Sequence, residues 1–287
     1  MRKYISYFAL FFVTIGLFSS FKYNTVQTVN PPTEFEQLVQ YLEAQGNFIN
    51  SDHAPALVSA TEIKENLKNE AYLVIDIRSA AWFEYGHIKN AVNVKGPDLL
   101  NYFLNDIQPE NYDKISIVCY SGQSAAYYAS LLRLYGFDNA YSMKFGMSSW
   151  HEEFAANVWV KNAKNDFAEQ LESTVNAMPE IGQAPVLNTG KSTAEDILKL
   201  RVTEAFAKPY KEFIVKSADV FATPSDYFVM HYVPEEIYTY GHIPGAVQYS
   251  PKTLDVNTNL MTLPTDKKVV VNCMTGQSAA YVVAYLH

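Results

Sequence analysis

The chain has only two cysteines in 287 residues, Cys119 and Cys273, and no Cys-x-x-Cys pair. Its six histidines are scattered without ligand spacing, so a structural zinc site is excluded by pattern, and no metal or other cofactor is expected. Basic residues are few. Lys and Arg number 22 against 30 Asp and Glu, a formal charge of −8. Binding a phosphate backbone needs clustered Lys and Arg, so no nucleic-acid partner is expected. With 48% hydrophobic and 18% charged residues the composition is not that of a disordered chain, and the length suits two domains.

What is present is a duplication. Cys119-Tyr120-Ser121-Gly122-Gln123-Ser124 recurs as Cys273-Met274-Thr275-Gly276-Gln277-Ser278, each after a β-branched apolar run and each before Ala-Ala-Tyr. Tyr85-Gly86-His87-Ile88 recurs as Tyr240-Gly241-His242-Ile243, and Ser59-Ala60-Thr61 more loosely as Ser217-Ala218-Asp219. Both cysteines sit where a strand turns into a helix, and thiols at equivalent points of a repeat read as related reactive sites. A free thiol titrates near about 8.5, and a helix N-terminus favours its thiolate. Gly122 and Gly276 permit a curl in which successive backbone N–H groups face the sulfur.

Met1-Arg2-Lys3, the apolar run Tyr4 to Phe18 and Ser19-Ser20 read residues 1–22 as a secretory signal or an uncleaved N-terminal membrane anchor. The expected location is therefore exported, either periplasmic or anchored and facing the periplasm. Residues 23–55 form a linker with a helix over Glu34 to Gln45. A first domain follows at 56–155, a connector at 156–211 and a second domain at 212–287. The first domain is expected to open with a helix over Ala60 to Lys68 under a Ser59/Glu62 capping box. Strands follow at Tyr72–Ile75, Ala91–Val94, Ile115–Val118 and Ala140–Met143, in the β-α-β order of a parallel sheet. The second domain lacks a counterpart of the first domain's last helix and strand, so it is expected to be incomplete, with a sheet edge uncovered. In the connector, a helix over Thr193 to Ala207 is expected under a Ser192/Glu195 cap. Thr189-Gly190-Lys191-Ser192-Thr193 has the look of a phosphate loop, but Pro185 stands at the first glycine position and no strand leads in. In an exported chain two cysteines are an alternative candidate for one disulfide, against which stands their identical placement in separate repeats.

Asp76-Ile77-Arg78, Tyr85-Gly86-His87-Ile88, the Cys119 loop and Phe145-Gly146-Met147-Ser148-Ser149-Trp150 stand in an order and spacing that resembles the rhodanese family of sulfurtransferases. The resemblance covers about Ala56 to Glu153, and more weakly the chain from Ile214. It implies an α/β fold of two rhodanese-like domains, each a parallel β-sheet flanked by helices, the second truncated at its C-terminus. It also implies that sulfane sulfur moves through a cysteine persulfide, with Cys119 as first candidate nucleophile and Cys273 as second. Tyr120, Ser121, Gly122, Gln123 and Ser124, with Met274, Thr275, Gly276, Gln277 and Ser278, would bind substrate, and Asp76, Arg78, His87 and His242 would support the site. The implied partners are thiosulfate or a persulfide as donor and cyanide, a thiol or a protein thiol as acceptor, with a thioredoxin-like reductant beside them.

Neither loop carries the Arg or Lys of many thiosulfate-using relatives, which turns the expectation toward a persulfide or protein donor. His231 and Val233 stand where the first repeat has Asp76 and Arg78, so the second repeat cannot form that ion pair. A cysteine phosphatase is excluded, because Ala125 and Ala279 occupy the position of its phosphate-clamping Arg. A non-catalytic binding or redox-sensing module remains the alternative function.

Overall fold

Short runs rich in Val and Ile, each closed by a turn or a helix, build two parallel sheets in a computed structural model that describes residues 31–287. The predicted signal or anchor, residues 1–22, lies outside these residues. No helix among the described residues is long and apolar enough to cross a membrane.

Ahead of the first sheet, α1 spans Glu34–Ala44. Its start is a complete capping box between Thr33 and Glu36, and it buries Val39 and Leu42. The first sheet contains β1 (Leu57–Val58), β2 (Tyr72–Asp76), β3 (Val92–Asn93), β4 (Lys114–Val118) and β5 (Ala140–Met143) in the order β1-β5-β4-β2-β3. Its helices are α2 (Ala60–Glu65), α3 (Ala80–Tyr85), α4 (Leu99–Asn105), α5 (Gln123–Tyr135) and α6 (Glu152–Phe154). Asp76 pairs in register with Val118, so the turn after β2 lies beside the cysteine that follows β4.

Two local expectations change. The capping box of α2 is half formed: Ser59 accepts from Glu62 N at 3.0 Å, but the Glu62 carboxylate turns to Lys114 and to the Tyr72 hydroxyl. The helix stops at Glu65 rather than Lys68 because the Asn66 side chain takes the Glu62 carbonyl at 2.9 Å.

In the connector, α7 (Ala194–Phe206) starts one residue later than expected, with Thr193 rather than Ser192 as the cap that accepts from Asp196 N. The loop with the look of a phosphate site holds a carboxylate instead: Thr189 N and Gly190 N donate to Glu34 at 2.7 and 2.9 Å.

The second sheet is shorter. After α8 (Ser217–Ala222) come β6 (Tyr227–Tyr232), α9 (Glu235–Tyr240), β7 (Val247–Tyr249), β8 (Lys268–Asn272) and α10 (Gln277–Leu286). The strand order β7-β6-β8 repeats β3-β2-β4 of the first sheet, and His231 pairs with Asn272 as Asp76 pairs with Val118. Among the described residues β8 pairs with β6 alone.

Helices α5 and α10 pack side by side with their N-terminal ends together. Midway along, the Ser130 hydroxyl donates to Tyr281 O at 3.0 Å. The last turn of α1 and the residues between it and the first sheet, within the stretch expected as a linker with a helix, dock on the second repeat. Phe48 stacks on Tyr281 at 5.6 Å, Val256 N donates to Glu43 at 3.1 Å, Leu254 N donates to Asn50 Oδ1 at 2.8 Å, and Lys252 pairs with Asp52.

Candidate active site

Ile115, Ile117 and Val118 are fully buried, which fixes the end of β4 and delivers Cys119 to the sheet's carboxyl edge with 2% of its surface exposed. Gly122 then adopts φ +90, a conformation costly for any residue with a Cβ, and turns the chain into α5. This curl aims Gly122 N at the Cys119 sulfur at 3.1 Å and Ala125 N at the same sulfur at 3.4 Å. Both donors lie at the positive end of α5, so negative charge on the sulfur is met by oriented backbone dipoles.

The loop is held from behind by the turn after β5. Met147 N donates to Cys119 O at 2.8 Å, while Ser148 donates to Tyr120 O through its N at 3.1 Å and its hydroxyl at 2.9 Å. Gly146, at φ +54, lies so close that a Cβ there would stand 2.4 Å from Cys119 O. Tyr120 folds over the β2–α3 turn, where its ring meets Trp82 edge-on at 5.7 Å and its hydroxyl accepts from Ser79 N at 3.3 Å. Ser121, Gln123 and Ser124 are partly exposed on the loop.

Beneath the loop, Asp76 and Arg78 form the expected ion pair at 2.7 Å, each 1% exposed. Asp76 Oδ1 also accepts from Arg78 N, and Arg78 Nη2 donates to Gly86 O, so the pair ties the β2–α3 turn to the end of α3. His87 lies on the other side of that helix end, with Nδ1 2.8 Å from Phe83 O and its ring stacked on Phe83. His242 repeats the arrangement against Tyr238 O at 2.8 Å, and its Nε2 lies 3.1 Å from Thr174 O. Both imidazoles are thus engaged with backbone carbonyls.

The second loop shares the plan with fewer contacts. Gly276 has φ +75, Ala279 N donates to the Cys273 sulfur at 3.4 Å, and the thiol is partly exposed beside Met274, itself 69% exposed. Thr275 and Ser278 are partly exposed. His231 replaces Asp76 and has no partner for its buried Nδ1. Both cysteines are free thiols, so the disulfide alternative is not what the structure contains.

Four features went unrecognised in the sequence. The amides of Ala125 and Ala279 reach the sulfurs from the first turn of each helix. The 145–148 turn braces only the first loop. The side chains of Gln123 and Gln277 leave their own loops and enter the other repeat, Gln123 donating to Thr275 O at 2.9 Å. Tyr210, from the connector, packs on Tyr127 at 5.2 Å, and burial together with the charges of Cys119 and Cys273 holds its phenol above the ordinary range. A cavity of about 890 Å3 has Gln123, Tyr210, Asn272 and Gly276 in its wall.

The rhodanese-like domain family model matches residues 59–153. The chain is 31% identical over 96 residues to the thiosulfate sulfurtransferase GlpE of Shewanella oneidensis, an alignment covering 33% of this chain and 91% of that protein. Identity to the protein of the same name from Pseudoalteromonas translucida is 29% over 101 residues, covering 35% and 93%. A rhodanese-related protein of Thermoplasma volcanium is 27% identical, with 33% of this chain and 90% of that one covered at a TM-score of 0.30. The matched segment is the one that contains Cys119, the Asp76–Arg78 pair and the bracing turn, and through it the chain belongs to the rhodanese-like domain family.

Proposed function

We propose that the protein is a sulfurtransferase that carries sulfane sulfur as a persulfide on Cys119, with Cys273 as a second, less constrained thiol. The observation that carries this reading is the pair of backbone donors, Gly122 N and Ala125 N, on the Cys119 sulfur at the N-terminus of α5. Such a site supports an anionic sulfur. The Cys119 thiolate attacks the outer sulfur of a donor, a new S–S bond forms, and the donor's own S–S bond breaks, with its electron pair leaving on sulfite or on a thiolate. An acceptor thiolate or cyanide then attacks the outer sulfur and restores the Cys119 thiolate. Oxidation state balances over the two steps.

The absence of Arg or Lys from both loops, the edge-on Trp82–Tyr120 contact and the buried thiol favour a small persulfide over doubly charged thiosulfate as donor. Mass spectrometry of the reduced protein after exposure to thiosulfate or a small persulfide tests the reading, with Cys119→Ser and Cys273→Ser alongside. A gain of one sulfur, about 32 Da, is expected in wild type and in Cys273→Ser, with the persulfide giving the larger yield. If neither donor adds sulfur to wild type, the sulfurtransferase reading fails and a binding role takes its place. Uptake lost only in Cys273→Ser reverses the order of the two thiols.

A further inference from the structure

Gln277 belongs to the second repeat's loop, yet it is 2% exposed and its side-chain hydrogen bonds all run to the first repeat. Its Oε1 accepts from Phe145 N at 3.1 Å, and its Nε2 donates to Met143 O at 3.1 Å and to the Ser142 hydroxyl at 3.2 Å. These atoms bracket the turn that leaves β5. Phe145 has φ +61, uncommon for a residue with a Cβ, and Gly146 follows at φ +54. The next two residues are those that hold the carbonyls of Cys119 and Tyr120. The same amide also packs directly on the first loop, since a Cβ on Gly122 would stand 2.7 Å from Gln277 Cδ.

The contact is reciprocal. Gln123 donates to Thr275 O in the second loop, and a Cβ on Gly276 would stand 2.6 Å from Gln123 Nε2. The glycine of each loop therefore answers two demands, a left-handed turn and the close approach of the other repeat's glutamine. The exchange is unequal: Gln277 makes three bonds across the interface and Gln123 makes one, because among the described residues the second repeat has no turn equivalent to 143–148 for Gln123 to clamp.

From this geometry we infer that the two glutamines are crossed positioning residues, Gln277 setting the Cys119 loop and Gln123 the Cys273 loop, so that each thiol site is completed by the opposite repeat. Gln277 acts through the 143–148 turn. With that turn fixed, the carbonyls of Cys119 and Tyr120 are held outward and the following amides face the sulfur, the arrangement that favours a thiolate. An aliphatic side chain in its place leaves Phe145 N and Met143 O unpaired at a buried junction and lets the turn relax.

Single-thiol forms separate crossed from local action. In Cys273→Ser, which retains only Cys119, the rate of iodoacetamide alkylation is followed against pH in three forms: unaltered, with Gln277→Ala and with Gln123→Ala. Cys119→Ser carries the same pair of substitutions for Cys273. The midpoint of the profile reports stabilisation of the thiolate, and the plateau reports access. Gln277→Ala is expected to shift the Cys119 profile to higher pH, a roughly three- to tenfold slower reaction on its rising limb, with a smaller effect from Gln123→Ala. For Cys273 the roles exchange, with a smaller shift.

Should Gln277→Ala fail to fold by circular dichroism, Gln277→Met keeps the packing on Gly122 while dropping the polar contacts, and the same shift is expected. A midpoint for Cys119 that ignores Gln277, or a glutamine that moves only its own loop's thiol, overturns the inference. Alkylation needs no sulfur donor, so this result stands apart from whether the protein transfers sulfur.

Discussion

Lowering the pH from 7.5 to 5 is expected to weaken the second repeat through one side chain, His231. It is 5% exposed, its Nδ1 has no partner, and its ring lies 5.9 Å from Tyr238. Burial first, and the charge of His242 second, push it down to about 4 from an ordinary 6.5. A folded pKa below the unfolded one means that the unfolded chain takes up the proton first as pH falls. The stabilising contribution is therefore complete above 6.5 and is lost across the interval from 6.5 to 4. At pH 5 only about 3% of an unfolded histidine is still neutral against about nine-tenths of the folded one, a ratio near 30, which corresponds to about 2 kcal/mol. Urea unfolding followed by far-UV circular dichroism at pH 7.5 and 5.0 measures it, with wild type compared to His231→Leu. Wild type is expected to lose about 2 kcal/mol more than the variant between the two pH values. His287, also held near about 4 by burial first, is common to both proteins and cancels. The same pH decrement in both proteins would show that His231 is not the group responsible.

Asp76→Ala leaves the Arg78 guanidinium buried without its counter-charge and is expected to destabilise the first repeat by about 3–5 kcal/mol. Tryptophan fluorescence during urea unfolding reads this, since Trp82, Trp150 and Trp159 all lie in or just after that repeat, and a loss under about 1 kcal/mol would contradict the buried-pair argument. Gly146→Ala combines a left-handed φ with a Cβ aimed at the Cys119 carbonyl. It is expected to cost about 1–3 kcal/mol and to abolish sulfur uptake at Cys119. Peptide-level mass spectrometry distinguishes the two thiols, and normal loading of Cys119 in this variant would sink the bracing role of the 145–148 turn.

The parts of the fold set by local pattern were readable. β-branched runs flanked by turns gave four of the five strands of the first sheet but not the two-residue β1, Cys119 emerged at the carboxyl end of β4, and the Asp76–Arg78 pair formed as the resemblance implied. Helix ends were less so. Ser192/Glu195 and Thr193/Asp196 are chemically equivalent caps one residue apart, and only the path of the chain into α7 chooses between them. The end of α2 depended on Asn66 reaching back to a carbonyl, an option open to many polar side chains.

The crossed glutamines were hidden for another reason. Gln123 and Gln277 were seen as members of a repeated loop, but their partners lie in the opposite repeat, and no periodicity reports a contact made across a packed helix pair. Tyr210, one of 21 tyrosines, carried no signal of its own. The one available hint was the pairing of Gly with Gln in both loops, which would have suggested a close approach at the glycine.

The docking of residues 43–52 onto the second repeat bears on the order in which the molecule is assembled. The partners of Glu43 and Asn50 lie 213 and 204 residues further along the chain, and Phe48 waits for Tyr281. At about 5–20 residues per second, a ribosome needs on the order of 10 to 40 s to deliver them. Until then Phe48 lacks its stacking partner, while Leu42 and Ile49 share one apolar cluster with first-repeat residues such as Ile75 and Leu131. Contacts of such long sequence separation are slow to form. The docking of residues 43–52 on the second repeat is thus expected to follow the pairing of the first sheet's strands, whose partners lie much closer in sequence.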